Sequence, residues 1–194
     1  MQTLSDYLGI IEQKLKSLSY PSAPAGLYEP IAYTLDGGGK RLRPVLTLAT
    51  CEAFGQPAST ALNQAAAVEM FHNFTLLHDD VMDGADMRRG RPTVHLKWDD
   101  RTAILSGDAM LTLAGILVRR DCRPQQAVAA SDLLDRTAME IYEGQQYDMD
   151  FESRTDVTVD EYLEMIRLTT SVLLGCACRM GALMATAPEA DAKA

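Results

Sequence analysis

Cysteine is scarce in this 194-residue chain, and none of its four copies stands in a C-x-x-C pair. Cys176 and Cys178 lie two apart in a helical pattern, where side chains point away from one another. That argues against a structural zinc site. Cys51, Cys122, Cys176 and Cys178 are expected to be buried free thiols in a reducing cytoplasm. Positive charge is short as well: 18 Lys and Arg face 27 Asp and Glu, for a net charge of −9. A nucleic-acid binder would need a basic face, so that class is set aside. No basic segment followed by an apolar one opens the chain, and no secretory signal is expected. The most apolar stretch, SVLLGCACRMGALMA, follows Arg167 and contains Arg179, too short and too charged to span a bilayer. A soluble cytoplasmic protein, not a transmembrane one, is the expectation. Nor does any stretch alternate with period two, so no sheet is expected.

What the chain does have is helical periodicity. With 47% hydrophobic residues it can bury one core, and no internal repeat or linker divides it. Residues 1–194 therefore read as one all-α domain. Leu4, Leu8, Ile11, Leu15 and Leu18 form one face of a first helix. A break at SYPSAPAG precedes a short helix ending at Gly37-Gly38-Gly39. Lys40 to Phe54 follows as a helix, with Pro44 tolerable only in its first turn. Residues 59 to 83 form another, and GADMRRGRP reads as a loop. Helices over 102–119 and 125–152 come next. The last runs from Val159 to Thr186, its start marked by the capping box Thr158-x-x-Glu161.

Three clusters could carry chemistry. HDDVMDGADMRRGRP, residues 78–92, crowds three aspartates into five positions. Two carboxylates one turn apart, roughly 6 Å, repel by about 3 kcal/mol at an effective dielectric of about 20, which a cation between them relieves. His72, Leu76, Asp79 and Asp83 fall within about 40° on a helical wheel, with Asp80 about 80° away. Carboxylates without thiolates suit a hard cation, and magnesium prefers a few carboxylates, waters and a substrate phosphate. Arg88 and Arg89 would then clamp the same phosphate. A polar helix end running into a charged loop is the plain alternative.

GGGKRLRP places Lys40, Arg41 and Arg43 at a helix start. It is no Walker A loop, because Thr34 stands at the first glycine position and Arg41 follows Lys40. Basic residues there oppose the helix dipole, a cost that an anionic ligand would remove; a solvated basic turn would also explain them. In GQQYDMD, Gly144, Gln145 and Asp148 share a helix face, and the glycine permits close approach, which is more often packing than function.

Taken together, GGGKRLRP, FHNFTLLHDDVMDGADMRRGRPTVH, SGDAML and GQQYDMD resemble, in order, the motifs of the trans-isoprenyl diphosphate synthases, and the resemblance covers nearly the whole chain. It implies an all-α bundle around a deep cavity, a homodimer, and magnesium as cofactor. It also implies head-to-tail transfer from an allylic diphosphate to isopentenyl diphosphate. By the same resemblance Asp79 and Asp83 are metal ligands, and Asp79, Asp80, Asp83 and Arg88 the catalytic set. Lys40, Arg43, His72 and Arg89 match the isopentenyl diphosphate pocket. Arg88, Gln145 and Thr170 match the allylic diphosphate contacts. Phe74, five positions before the first aspartate, and Thr75 match the cavity floor. With no insertion in DDVMD they imply C15 to C20 products.

Two departures qualify this. The family carries a second aspartate-rich motif on a later helix, and this sequence ends at ATAPEADAKA, so a chain truncated ahead of that helix is expected. Thr169, followed by Thr170, stands where the family has a lysine, and supplies no charge. Slow or absent turnover by the 194 residues alone is therefore expected. A non-catalytic subunit that dimerises with a complete synthase is an alternative. So, more weakly, is a His-Asp metal phosphohydrolase built on LLHDD with His72.

Overall fold

In the computed structural model, residues 2–188 are described. Thr3 starts α1 (Leu4–Lys16) through a capping box with Asp6. The helix buries Tyr7, Ile11 and Leu15, while Leu4 is exposed. Of the expected stripe, Ile11 and Leu15 are buried and Leu8 and Leu18 pack half-buried against the core, while Tyr7 takes the inward place expected of Leu4.

α2 (Ala25–Asp36) runs into Gly37. α3 (Leu42–Ala53) begins later than the sequence suggests, so Lys40 and Arg41 lie outside it. Gly38 and Gly39 have φ of +75° and +136°, and Arg41 caps the helix at φ 48°. Left-handed backbone of this kind is what the glycines permit and what interrupts the helix. Pro44 occupies the third helical position, where its missing N–H costs nothing.

A 3-10 turn (Ala58–Ala61) leads into α4 (Leu62–Met82). From Gln64 to Phe71 every α4 residue is buried, so this helix is enclosed on all sides. The loop after it is not structureless as expected. β1 (Met87–Arg88) pairs antiparallel with β2 (Arg91–Pro92). Arg89 and Gly90, at φ 53° and 75°, form the two-residue turn that favours such a hairpin. Two residues per strand are too few to show an alternation.

α5 (Val94–Lys97) precedes α6 (Asp100–Val118), which packs along α4. α7 (Pro124–Phe151) follows with proline at its first position. α8 (Val159–Ile166) starts on the Thr158–Glu161 capping box, as expected. It then passes through a π-helical segment (Arg167–Ser171) into α9 (Val172–Met184), which the regular periodicity did not foretell. α9 lies against α3 at Gly181, where a Cβ would come within 2.3 Å of the Thr47 carbonyl oxygen. Cys51 and Cys176 are buried, but Cys122 and Cys178 are only half-buried; all four are free.

Residues 100–118 and 159–184 are long and apolar enough to cross a membrane by length and composition alone. In the second case the apolar stretch is one part of a longer helical run. Both are packed into the bundle, with Ala103, Met110 and Ala114 of α6 and Ala177 and Met180 of α9 fully buried.

Candidate functional site

The last two turns of α4 carry the acids. Asp79 and Asp83 are one turn apart, on the face that His72 begins. Burial and then the Asp83 charge push the Asp79 carboxyl up to about 6. The nearby Asp148 charge, on α7, acts in the same direction, so the third cluster does face the first. Asp80 turns elsewhere. Its Oδ1 accepts from Arg88 Nε at 2.8 Å and Nη2 at 2.5 Å. The pair is 7% exposed on the acid side and 39% on the arginine side. Both bonds land on one oxygen, so Arg88 keeps Nη1 without a partner among the described residues.

Among the described residues no three His, Cys, Asp or Glu side chains gather to hold an ion by themselves. Asp79 and Asp83 offer two hard, mutually repelling oxygen donors. That suits magnesium, which retains waters and takes phosphate oxygens as its other ligands. It does not suit a hydrolase of the His-Asp type. His78 Nε2 bonds the Ile104 carbonyl at 3.0 Å, and Nε2 of His72 faces Arg43 instead.

Two turns earlier on α4 the basic residues converge. Arg43 Nη1 is 3.2 Å from His72 Nε2. Burial first, then Arg43, Arg89, Arg88 and Arg41, push the His72 pKa down to about 3. The imidazole is therefore neutral, and Nε2 accepts from the guanidinium. Arg43 Nε is buried without a partner, a donor with no acceptor supplied by the protein. Arg89 Nη1 donates to the Gly38 carbonyl and, at 3.2 Å, to Asn73 Oδ1. Its guanidinium lies flat on Gly39, where a Cβ would stand 3.0 Å from Cζ. The glycine run thus receives the hairpin arginine. Lys40, the residue after Gly39, is exposed. Arg41 is not part of this surface. It is 3% exposed and bridges Glu12 and Glu69, each at 2.7 Å.

Between the acids and the neighbouring helices lies a cavity of about 110 Å³. Phe74, Thr75, His78 and Asp79 of α4 line it, facing Tyr142 and Gln145 of α7 and Thr169 of the π segment. Phe74 is 5% exposed and packs its ring against Phe71, His78 and Tyr142. It is at once a core residue and a wall. Gly144 lets the π segment approach α7: a Cβ there would meet Leu168 Cβ at 2.7 Å and Thr169 N at 2.9 Å. Thr169, half-buried, reaches the cavity with its hydroxyl donated to the Met165 carbonyl at 3.0 Å. Thr170 is exposed and outside the cavity lining. The π turn presents Thr169 to α7 instead.

Asn73 and Tyr142 are site neighbours that motif reading passed over, and His78 entered it only through the His-Asp pair of LLHDD. His78 sits on Gly107, where a Cβ would be 2.2 Å from Nε2, so the glycine of SGDAML held a signal for it. Tyr142 could have been found one turn before Gln145.

The polyprenyl synthetase family model matches residues 24–194. A geranylgeranyl diphosphate synthase of Methanosarcina mazei is 44% identical over 185 residues, 95% of this chain and 57% of that protein. A (2E,6E)-farnesyl diphosphate synthase of Mycobacterium bovis is 43% identical over 151 residues, 78% of this chain and 42% of that one. A crystal structure of a geranylgeranyl pyrophosphate synthase superposes with a TM-score of 0.97 at 53% identity, covering 100% of this chain and 59% of its own. The chain thus spans about three-fifths of the length of such relatives or less.

Proposed function

The chain belongs to the polyprenyl synthetase family and has its all-α isoprenoid synthase fold, and on that premise we propose that it serves head-to-tail prenyl transfer. The substrates are an allylic diphosphate and isopentenyl diphosphate, and the product is a short-chain polyprenyl diphosphate of C15 to C20. The observation that carries this is the layout of α4. An acid pair at its end is set seven residues, about 10 Å, from a neutral histidine flanked by arginines, with a cavity walled by Phe74 and Tyr142 opening beside Asp79.

Asp79 and Asp83 would hold magnesium, which when bound draws charge from the departing diphosphate. Arg88, through its unpartnered Nη1, and Gln145 would orient that diphosphate. Lys40, Arg43, His72 and Arg89 would hold the isopentenyl diphosphate, with the buried Arg43 Nε finding its acceptor there. Phe74 and Thr75 would limit how far the growing chain reaches. A cytoplasmic homodimer is part of the proposal.

Thr169 favours a second possibility, a subunit that modulates a complete synthase. Its hydroxyl is already donated to Met165, so it offers the allylic diphosphate neither charge nor proton. Turnover by these 194 residues alone is accordingly proposed to be slow.

Titration calorimetry with a non-cleavable geranyl diphosphate analogue tests the core of this. Binding should require magnesium, vanish with EDTA, and lose its metal dependence in Asp79→Asn and Asp83→Asn. Equal affinity with and without the metal would remove the role given to the aspartates.

A further inference from the structure

A buried polar chain through Asn73 and Glu69 links Arg89 of the basic cluster to Arg41. Asn73 is fully buried on α4. Its Nδ2 donates to the Glu69 carbonyl at 2.8 Å and to Glu69 Oε1 at 3.0 Å. Its Oδ1 accepts from Arg89 Nη1 at 3.2 Å. Only this orientation of the amide satisfies both sides, since the guanidinium has nothing but donors and the carboxylate nothing but acceptors. Glu69, 2% exposed, is in turn held by Arg41 Nη1 at 2.7 Å.

The order of charges matters. A buried carboxylate free to reach Arg89 would pair with it and spend the charge within the protein. Here Arg41 engages Glu69, and a neutral amide stands between Glu69 and Arg89. Arg89 Nη1 is thereby held by two uncharged acceptors, Asn73 Oδ1 and the Gly38 carbonyl, while the face of the guanidinium lies against Gly39. Its positive charge remains available to an anion.

We infer that Asn73 is a positioning residue for the isopentenyl diphosphate pocket: it fixes the Arg89 guanidinium without neutralising it. This rests on the assignment of Arg89 to that diphosphate. It predicts that two opposite changes at position 73 do similar harm. Asn73→Leu keeps the volume but removes one of the two acceptors that hold Arg89 Nη1. Asn73→Asp keeps an acceptor but cancels the charge. A residue that merely packed the core would show no such pattern in ligand affinity.

The test is calorimetric titration of the full chain with isopentenyl diphosphate, well below the melting temperature of each variant. Arg89→Ala should weaken binding about tenfold or more, as loss of a charged hydrogen bond does. Asn73→Leu and Asn73→Asp should each weaken it by a factor approaching that. Asn73→Leu combined with Arg89→Ala should bind no worse than Arg89→Ala alone, because the two act through one guanidinium. Should the leucine variant not fold, Asn73→Ser takes its place in the cycle. Wild-type affinity in the position-73 variants, or losses that multiply with Arg89→Ala, would overturn the inference while leaving the pocket assignment standing. An unaffected Arg89→Ala would bring down the pocket assignment and this inference with it.

Discussion

At the scale of single residues, the site is governed by which charges are left unpaired. His72 shows the direction of the effect. Its folded pKa, about 3, lies below the ordinary 6.5, so the unfolded chain takes up the proton first. The stability this contributes is present above about pH 6.5 and is lost as pH falls toward 3. Asp79 runs the other way: raised from 3.8 to about 6, it favours the folded state below 3.8 and loses that contribution as pH rises through 6. Asp79→Asn should therefore raise the melting temperature of the metal-free chain more at pH 7 than at pH 4.5. An NMR titration should find the His72 imidazole neutral well below pH 6; a midpoint near 6.5 would contradict the burial that depresses it. Phe74 makes a separate prediction. Truncating a buried phenylalanine costs about 3 to 5 kcal/mol, and this one also walls the cavity. Phe74→Leu, the milder change, and Phe74→Ala should both lengthen the products of an active form while lowering its stability. An unchanged product profile from a folded variant would leave Phe74 with its packing role alone.

At the scale of elements, the contact between α7 and the π segment decides how the third motif meets the cavity. A Cβ on Gly144 would lie 2.7 Å from Leu168 Cβ and 2.9 Å from the Thr169 backbone nitrogen. Backbone cannot step aside as a side-chain end can. Gly144→Ala should cost about 1 to 3 kcal/mol, the usual range for overpacking. That lowers the melting temperature by about 2 to 4 °C per kcal/mol in a chain of this size. It should also weaken diphosphate binding, since Gln145 and Thr169 move apart. A calorimetric scan beside the same titration checks both. The close approach at Gly144 was readable from GQQYDMD, as were the capping box at Thr158 and the glycine-rich entry to α3. The π turn was not. Its i+5 bonding leaves no mark on hydrophobic spacing strong enough to separate it from a continuous helix.

For the whole molecule, the unsettled surface is the outer face of α6. Leu105 and Ile116 are 60% and 43% exposed, and they share a helix face three turns apart. Apolar side chains gathered on one helix face mark an association surface more often than scattered ones do. If the chain dimerises there, Leu105→Glu combined with Ile116→Glu should halve the mass seen by sedimentation equilibrium, with helical circular dichroism retained. A wild-type chain that sediments as a monomer would rule out the homodimer on this face.

Most of the helices, the acid pair on one stripe of α4 and the basic residues around GGGKRLRP were legible in the chain, because each depends on spacing within a few turns. Asp80 stood about 80° off that stripe, but nothing in its spacing pointed to Arg88 as its partner. Which charges cancel is set by tertiary contact. Arg41 and Arg43 stand two apart in one motif, yet one is spent on Glu12 and Glu69 while the other faces His72 with an unpartnered Nε. Arg88 and Arg89 are adjacent, yet one pairs with Asp80 and the other crosses to Gly38 and Asn73. A left-handed turn at Arg41 and a hairpin at Arg89-Gly90 separate each pair. Asp80 is eight residues from Arg88, but Asn73, Glu69, Glu12, His72 and Gly38 lie 16 to 51 residues from the arginines they meet, a separation at which local pattern carries no information about contact.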